Sequence, residues 1–448
     1  MNWLLQEGAE MNFNGLNQPL RILRGIGSGS QGQVYAVAAG GETLALKWYL
    51  PSCVERDPQL RQRLSQSIRS GAPNADFLWP LAILDPCEAS KHLVRHRDPS
   101  YGYLMALRPP SYQGLHLHAC GDMEISIMNI LRACFFLADG FHQLHLKGMC
   151  YKDISLGNLF LDPNTGRVLI CDNDNVDIDG QGQGRVLGTP GFIAPEVLMG
   201  KSRPGATSDL YSLAVLLFRL LTRHDPFRGK LEMEIRCLDE PARRRLYGED
   251  PVFIFDPNDT RNRPDPIEHV AALTTWPIYP PTLRKLFEQS FGVGLHQTQL
   301  RTLTGQWKLS LTRCLDQRQL CKYCREENFT DYMNENLRCW KCSGKLPVPL
   351  LLMLPCAKVI AADGNELHAH HFDPLANEDL NHPIGRIVEH PQDKTIIGLK
   401  NLSNHSWQAR LHNSNWIDLE PGKICNLAAL DKINCSAGSI ILHTPLTH

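Results

Sequence analysis

The stretch Tyr151-Lys152-Asp153-Ile154-Ser155-Leu156-Gly157-Asn158 and the later Cys171-Asp172-Asn173-Asp174 constrain this chain more than any other feature. Between them lies FLDPNTGRVLI, two short apolar runs around an Asp-Pro-Asn-Thr-Gly cluster, which reads as strand, turn, strand. A hairpin brings its ends together, so Asp153, Asn158 and Asp172 are expected at one end of it. Two carboxylates and a carboxamide present hard oxygen donors of the kind that hold a metal ion and its phosphates.

At 448 residues the chain has room for roughly two to four domains. With 43% hydrophobic and 21% charged residues it can bury a core and remain soluble, and a net charge of -1 offers no global attraction to nucleic acid or an anionic membrane. The start, MNWLLQEGAEMNFNG, lacks a basic region followed by a long apolar one, and the apolar run from Pro347 to Pro355 is too short to span a bilayer. A cytoplasmic location is therefore expected. Fifteen cysteines, with two CxxC units as the close pairs, favour reduced thiols and one metal site over a disulfide framework.

After a polar lead-in over residues 1–19 comes RILRGIGSGSQGQVYAVAAG, strand, glycine-rich turn, strand. Gly27, Gly29 and Gly32, followed by Val34, let a hairpin backbone approach phosphates, although a flexible hairpin would read the same way. In the next strand, TLALKWYL, Lys47 sits among apolar residues and is expected to meet an anion. Asp57-Pro58 reads as a helix start and Ser70-Gly71 as its end, with Leu60, Leu64 and Ile68 on one face. FLWPLAIL and YGYLMALRPP read as strands, and Asp122 to Leu146 as a long buried helix whose His142 and His145 are ordinary surface or core residues. GTPGFIAPE follows at 188–196, and then DLYSLAVLLFRLL, an apolar helix led by Asp209.

In this order and at these distances, the segments resemble a Hanks-type protein kinase over about residues 20–315. The resemblance implies an α+β, bilobal kinase fold, with an N-lobe over 20–107 and a C-lobe over 108–315. It implies an ATP- and magnesium-dependent serine/threonine protein kinase acting in bacterial signalling or stress response. Asp153 would accept the substrate hydroxyl proton, Asn158 and Asp172 would bind magnesium, and Lys47 would bind the α- and β-phosphates. Gly27, Gly29, Gly32 and Val34 would cover the nucleotide, and Met105 to Leu107 would form the adenine hinge. Thr189 would line the site, Glu196 would anchor its loop through Arg301, and Asp209 would brace the catalytic backbone. Tyr151 and Lys152 replace the family's His and Arg, Asn173-Asp174 replace Phe-Gly, and Ser155 stands where a lysine usually contacts the γ-phosphate. No Glu lies between Glu55 and Glu88 to pair with Lys47, though Gln62 or Gln66 could hydrogen-bond instead. Positions 174–188 contain no Ser, Thr or Tyr, so regulation by phosphorylation of that loop is not expected. Asp177 and Asp179 read as a solvated acidic stretch. The alternative is a pseudokinase, a nucleotide-binding scaffold acting through its C-terminal modules; a third reading is a sensor whose domains hold each other inactive.

Residues 223–281, rich in Pro, Asp and Arg, read as a long ordered loop inserted after the main helix. Over 316–346, Cys321, Cys324, Cys339 and Cys342 form two CxxC knuckles suited to one structural zinc ion. Glu326, Glu327, Asp331 and Glu335 offset its basic residues and argue against nucleic acid. Residues 347–448 read as an all-β sandwich in which Gly385-Arg386 resembles the start of a forkhead-associated domain, while Ser403-Asn404-His405 departs from that family's Ser-x-x-His spacing. His368, His370 and His371 read as ordinary residues rather than metal ligands. Kinase, zinc ribbon and sandwich together resemble the bacterial kinases of tellurite-resistance-associated systems, which implies a protein substrate and, as partners, a von Willebrand factor A-domain protein and a PP2C-type phosphatase.

Overall fold

The computed structural model describes residues 3–95, 100–180, 187–330 and 337–443. Asp331 and Glu335, and residues 181–186 of the loop between Asp174 and Gly188, lie outside the described residues. The chain forms two compact units, one of residues up to Glu124 with Phe136–Pro264 and Gln289–Thr304, the other of Ile125–Phe135, Asp265–Glu288 and Gly305 onward. No described helix is long and apolar enough to cross a membrane.

In the first unit, β1 (Glu10–Met11), β2 (Leu20–Ser28), β3 (Gly32–Ala39), β4 (Glu42–Tyr49), β5 (Ala82–Leu84) and β6 (Gly102–Ala106) build one antiparallel sheet in the order β1-β2-β3-β4-β6-β5. Side chains alternate across a strand, so β4 sends Leu46 and Trp48 into one apolar cluster with Ile22 and Val37. Ala45 and Tyr49 go to the other face, with Leu60, Leu64, Tyr103 and Met105. Lys47 shares that second face by register. The N-terminal segment is more than a polar lead-in: Leu5, Met11 and Phe13 are buried in the first cluster.

Two helices follow β4, α1 (Pro51–Arg56) and α2 (Leu60–Ser70). Asp57 is the C-cap of α1 rather than the N-cap of the next helix, and its carboxylate accepts from Arg63 Nη1 at 3.1 Å. The reason is Pro51, which starts a helix about two turns earlier than Pro58 could. Gly71, at φ 69°, ends α2.

The strands Leu159–Leu161 and Val168–Ile170 pair as an antiparallel hairpin, Leu161 opposite Val168 and Leu159 opposite Ile170. Below it the helix Ala206–Thr222 is buried along nearly its whole length. The segment after this helix differs from a simple loop. It carries short helices at Lys230–Met233 and Glu240–Arg244. It also supplies Phe227 and Phe253 to the core, their rings 5.3 and 5.2 Å from Phe291. Asn262 Nδ2 ties the segment down by donating to the carbonyls of Phe227 (2.9 Å) and Val252 (2.8 Å).

In the second unit, Arg318–Leu320 pairs with Glu327–Phe329, and the four-cysteine cluster lies directly beyond this hairpin. C-terminal to it are a six-stranded and a four-stranded antiparallel sheet. Leu352, Val359, Trp407, Ile433 and Ile440 of the first share one apolar core with Leu367, Ile387 and Leu399 of the second. Arg318, buried between hairpin and sheets, donates to Glu327 Oε1 and Asn365 Oδ1, both at 3.0 Å.

Candidate active site

Backbone strain marks the site before any side chain is considered. Lys152 and Asp172 hold positive φ of 70° and 56°, a conformation that costs a residue with a Cβ about 1 kcal/mol or more. Asp209, at the start of its buried helix, compensates at the first position: its two carboxylate oxygens accept from the backbone N–H of Tyr151 (2.7 Å) and Lys152 (2.9 Å). The Tyr151 phenol donates to the carbonyl of Cys171, the residue before Asp172. Cys171 N–H in turn donates to the carbonyl of Asn158 at 2.9 Å. The segment 151–158 and the loop after the hairpin are thus bonded directly to each other.

Asn158 Nδ2 donates to the Asp153 carbonyl at 2.9 Å, with Asp153 Oδ2 at 3.4 Å. That orients the carboxamide so that its oxygen is left for another partner. Thr189 Oγ1 donates to Asp153 Oδ1 at 2.7 Å. Glu196 binds Arg301 through both oxygens, at 2.8 and 2.7 Å. Ser155 is buried.

On β4, Lys47 Nζ donates to Asp172 Oδ1, to Asp174 Oδ2 at 2.6 Å and to Gln31 Oε1 at 3.2 Å. Tyr49 OH reaches the same Asp174 oxygen at 2.5 Å. Asp174 has a side chain only 1% exposed, whereas that of Asp172 is 30% exposed. Burial raises the Asp172 carboxyl above its ordinary value, and the neighbouring Asp174 charge adds to the rise. Burial acts on Asp174 in the same sense, but Lys47 and Tyr49 outweigh it and hold Asp174 below the usual carboxylate range. Burial alone would lower Lys47, yet Asp174 and Asp172 keep it well above its ordinary value and charged.

Val34 lies opposite Lys47 in the β3–β4 register. Of the three glycines, Gly32 is demanded by packing, because a Cβ there would stand 2.4 Å from the Trp48 carbonyl oxygen. A Cβ on Gly27 or Gly29 would meet no atom within 4 Å. Met105 is largely buried and pairs with Ala45, and Leu107 follows the end of β6.

Asp177 and Asp179 differ from a solvated stretch. Lys152 Nζ donates to Asp177 Oδ2 at 2.9 Å, with both side chains nearly buried, and Asp179 Oδ1 accepts from Ala206 N–H at 2.9 Å. Lys152 already has its anion within the chain. Sequence reasoning missed Gln31, Tyr49 and Asp177 as partners, since each contact joins segments whose approach no local pattern announces.

The Sγ atoms of Cys321, Cys324, Cys339 and Cys342 all lie within 4.8 Å of one another. Burial raises the Cys339 thiol, but backbone N–H groups of Cys342 and Lys341 bring it down to about 6. A soft four-sulfur set with a thiolate available near neutral pH fits zinc.

Residues 116–262 match the protein kinase domain family. The chain is 37% identical over 126 residues to protein kinase C delta type of Mus musculus, covering 26% of this chain and 18% of that protein. It is 36% identical over 109 residues to a probable serine/threonine-protein kinase of Zea mays, covering 24% and 16%. It is 29% identical over 231 residues to the DNA damage-responsive serine/threonine-protein kinase RqkA of Deinococcus radiodurans, covering 48% and 31%. The chain thus spans less than a third of the length of these curated relatives.

Proposed function

We propose that this chain, which carries a protein kinase domain, is an ATP- and magnesium-dependent protein kinase that phosphorylates serine or threonine hydroxyls. The observation that carries the reading is the convergence of Asp153, Asn158, Asp172 and Lys47 around one hairpin end, with Thr189 against Asp153. Asn158 Oδ1 and the cleft-facing Asp172 carboxylate are the oxygen donors that would hold magnesium, which when bound neutralises the phosphates. Lys47 supplies the protein's own positive charge to the nucleotide, and Asp153 orients the acceptor hydroxyl and takes its proton. Phosphoryl transfer depends chiefly on such positioning and charge neutralisation. Gly27, Gly29, Gly32 and Val34 cover the nucleotide, and Met105 to Leu107 receive its base.

The Lys152–Asp177 pair supports regulation by a route other than loop phosphorylation, because it occupies the cation that would otherwise receive a loop phosphate. Cys321, Cys324, Cys339 and Cys342 hold a structural zinc ion, and the C-terminal sheets form a sandwich that packs or docks a partner. Phosphothreonine capture is disfavoured there, since Arg386 is paired with Glu366 and Ser403 Oγ donates to Asn401 Oδ1 at 2.8 Å. Resemblance of the whole architecture to tellurite-resistance-associated kinases suggests a cytoplasmic bacterial signalling role, with a von Willebrand factor A-domain protein and a PP2C-type phosphatase as partners.

Incubation with labelled ATP and magnesium tests the enzyme: the wild-type chain labels itself or a protein substrate, whereas Asp153→Asn and Asp172→Ala do not. ATP binding without any transfer would leave the scaffold reading, which the absence of acidic residues from α2 favours.

A further inference from the structure

A lysine in a nucleotide cleft does its work only if its flexible stem is held, and holding it requires an anion that the ligand does not displace. The adjacent helix offers none: α2 reads LRQRLSQSIRS, and its buried residues are Leu60, Arg63, Leu64 and Ser67. Arg63 brings a positive charge to that face, and its own partner is Asp57. Neither Gln62 nor Gln66 is among the buried positions.

The three donors of Lys47 are taken by Gln31, Asp172 and Asp174. These partners are not equivalent. Gln31 belongs to the glycine-rich turn, and Asp172 is 30% exposed, so both face the cleft that a triphosphate and its cation would enter. Asp174 is 1% exposed and lies buried against Lys47 and Tyr49 of β4. Its Oδ2 receives two donors, Lys47 Nζ at 2.6 Å and Tyr49 OH at 2.5 Å, and both come from β4 two residues apart. Its backbone is fixed as well, because Asn173 Nδ2 donates to the carbonyls of Leu78 (2.8 Å) and Ile170 (3.0 Å).

We infer that Asp174 is the positioning residue for Lys47: the metal-binding loop itself supplies the permanent carboxylate that steers the lysine toward the nucleotide phosphates, with Tyr49 locking that carboxylate in place. The inference rests on the nucleotide-binding part of the proposed function. It couples two things, since the loop that presents Asp172 also sets Lys47, and one loop conformation therefore delivers both charges. No movement of α2 is needed to complete the site.

The test measures ATP and adenosine affinity of the full chain by titration calorimetry in EDTA, for wild type, Asp174→Asn, Asp174→Gly, Lys47→Met and the Lys47→Met/Asp174→Asn double variant. Loss of a buried charge-assisted partner should weaken ATP on the order of 10- to 100-fold in the Asp174 variants. Adenosine, which has no phosphates, should bind within about twofold of wild type, and Asp174→Asn should add nothing once Lys47 is gone. ATP affinity that is unchanged or raised would overturn the inference, the latter showing that Asp174 sequesters the lysine. An equal fall for adenosine, or additive losses in the double variant, would also overturn it, because the role would then be general packing. The isosteric Asn variant decides the matter if the Gly variant does not fold. Should wild type bind ATP but transfer no phosphate, the kinase reading fails while this comparison still judges Asp174.

Discussion

Replacing Glu196 by Gln removes one charge and almost no volume from a pair whose geometry is fully specified. Arg301 Nη1 and Nη2 donate to Glu196 Oε1 and Oε2 at 2.8 and 2.7 Å, and the two side chains are 0% and 17% exposed. Arg301 keeps its other bonds, Nε to the Gly294 carbonyl at 3.1 Å and Nη1 to the Thr207 carbonyl at 2.9 Å, and still lies 5.3 Å from the Tyr211 ring. In Glu196→Gln the guanidinium therefore stays buried without its counter-charge, and an amide NH₂ faces it as a second donor. Breaking a buried pair from one side costs about 3–5 kcal/mol. For a unit of this size each kcal/mol lowers Tm by about 2–4 °C, so a fall of roughly 6–20 °C is expected in differential scanning calorimetry. Glu196→Gln/Arg301→Met removes the stranded charge as well and should lose less than the single variant. A Tm within about 1 °C of wild type for Glu196→Gln, or a double variant worse than the single, would refute the reasoning.

Thr189→Glu places a carboxylate where Thr189 Oγ1 now donates to Asp153 Oδ1 at 2.7 Å; the like charges should cut transfer from labelled ATP at least about tenfold, and activation would contradict the proposed mode of regulation. Metal analysis should find about one zinc per chain, and none after Cys321→Ser with Cys339→Ser, where retained zinc would point to another site. In the second unit His368, His370 and His371 line a cavity of about 20 Å³ with Arg132, Asp316 and Glu366. His371 Nε2 lies 3.2 Å from Asp316 and His368 Nε2 lies 3.7 Å from Glu366, while Arg132, Lys308 and Asp379 add their fields. Burial, reinforced by the neighbouring imidazoles, lowers His368 from 6.5 to about 2 and His370 to about 3. The unfolded chain binds these protons first, so their contribution is fully present above pH 6.5 and is lost as pH falls, at about 1.4 kcal/mol per pH unit for each ring. Urea midpoints should hold between about pH 7 and 8 and drop toward pH 4; a slope that survives His368→Gln/His370→Gln would exclude this origin.

Much of the site was legible because its residues sit in short, contiguous segments with fixed offsets. Asp153 and Asn158 share one turn, Asp172 follows one hairpin, and each CxxC closes within four residues, so local geometry alone brings each set near itself. The lead-in and the segment over 223–281 were misjudged for the opposite reason. Met11 and Phe13 stand singly among polar neighbours and Phe227 between Pro226 and Arg228, and they become core only when distant strands and helices meet over them.

The sequence by itself determined that a glycine turn, a strand lysine, an Asp–Asn segment and a second Asp follow in order, and that no acidic residue stands on the helix beside the lysine. Only the tertiary structure decided where the missing carboxylate comes from. Asp174 reads from the sequence as an extra carboxylate beside the metal-binding residues, with no indication that it pairs with Lys47, and Tyr49 reads like one more aromatic in a strand; their meeting depends on β4 and the loop after the hairpin facing each other across one buried space. Lys152 and Asp177, nearly buried as well, show the same thing. Charge pairing acts over a few ångströms and is indifferent to separation along the chain, so chemistry carried within a segment can be read from the residues, while the partner of each charge is settled by the fold.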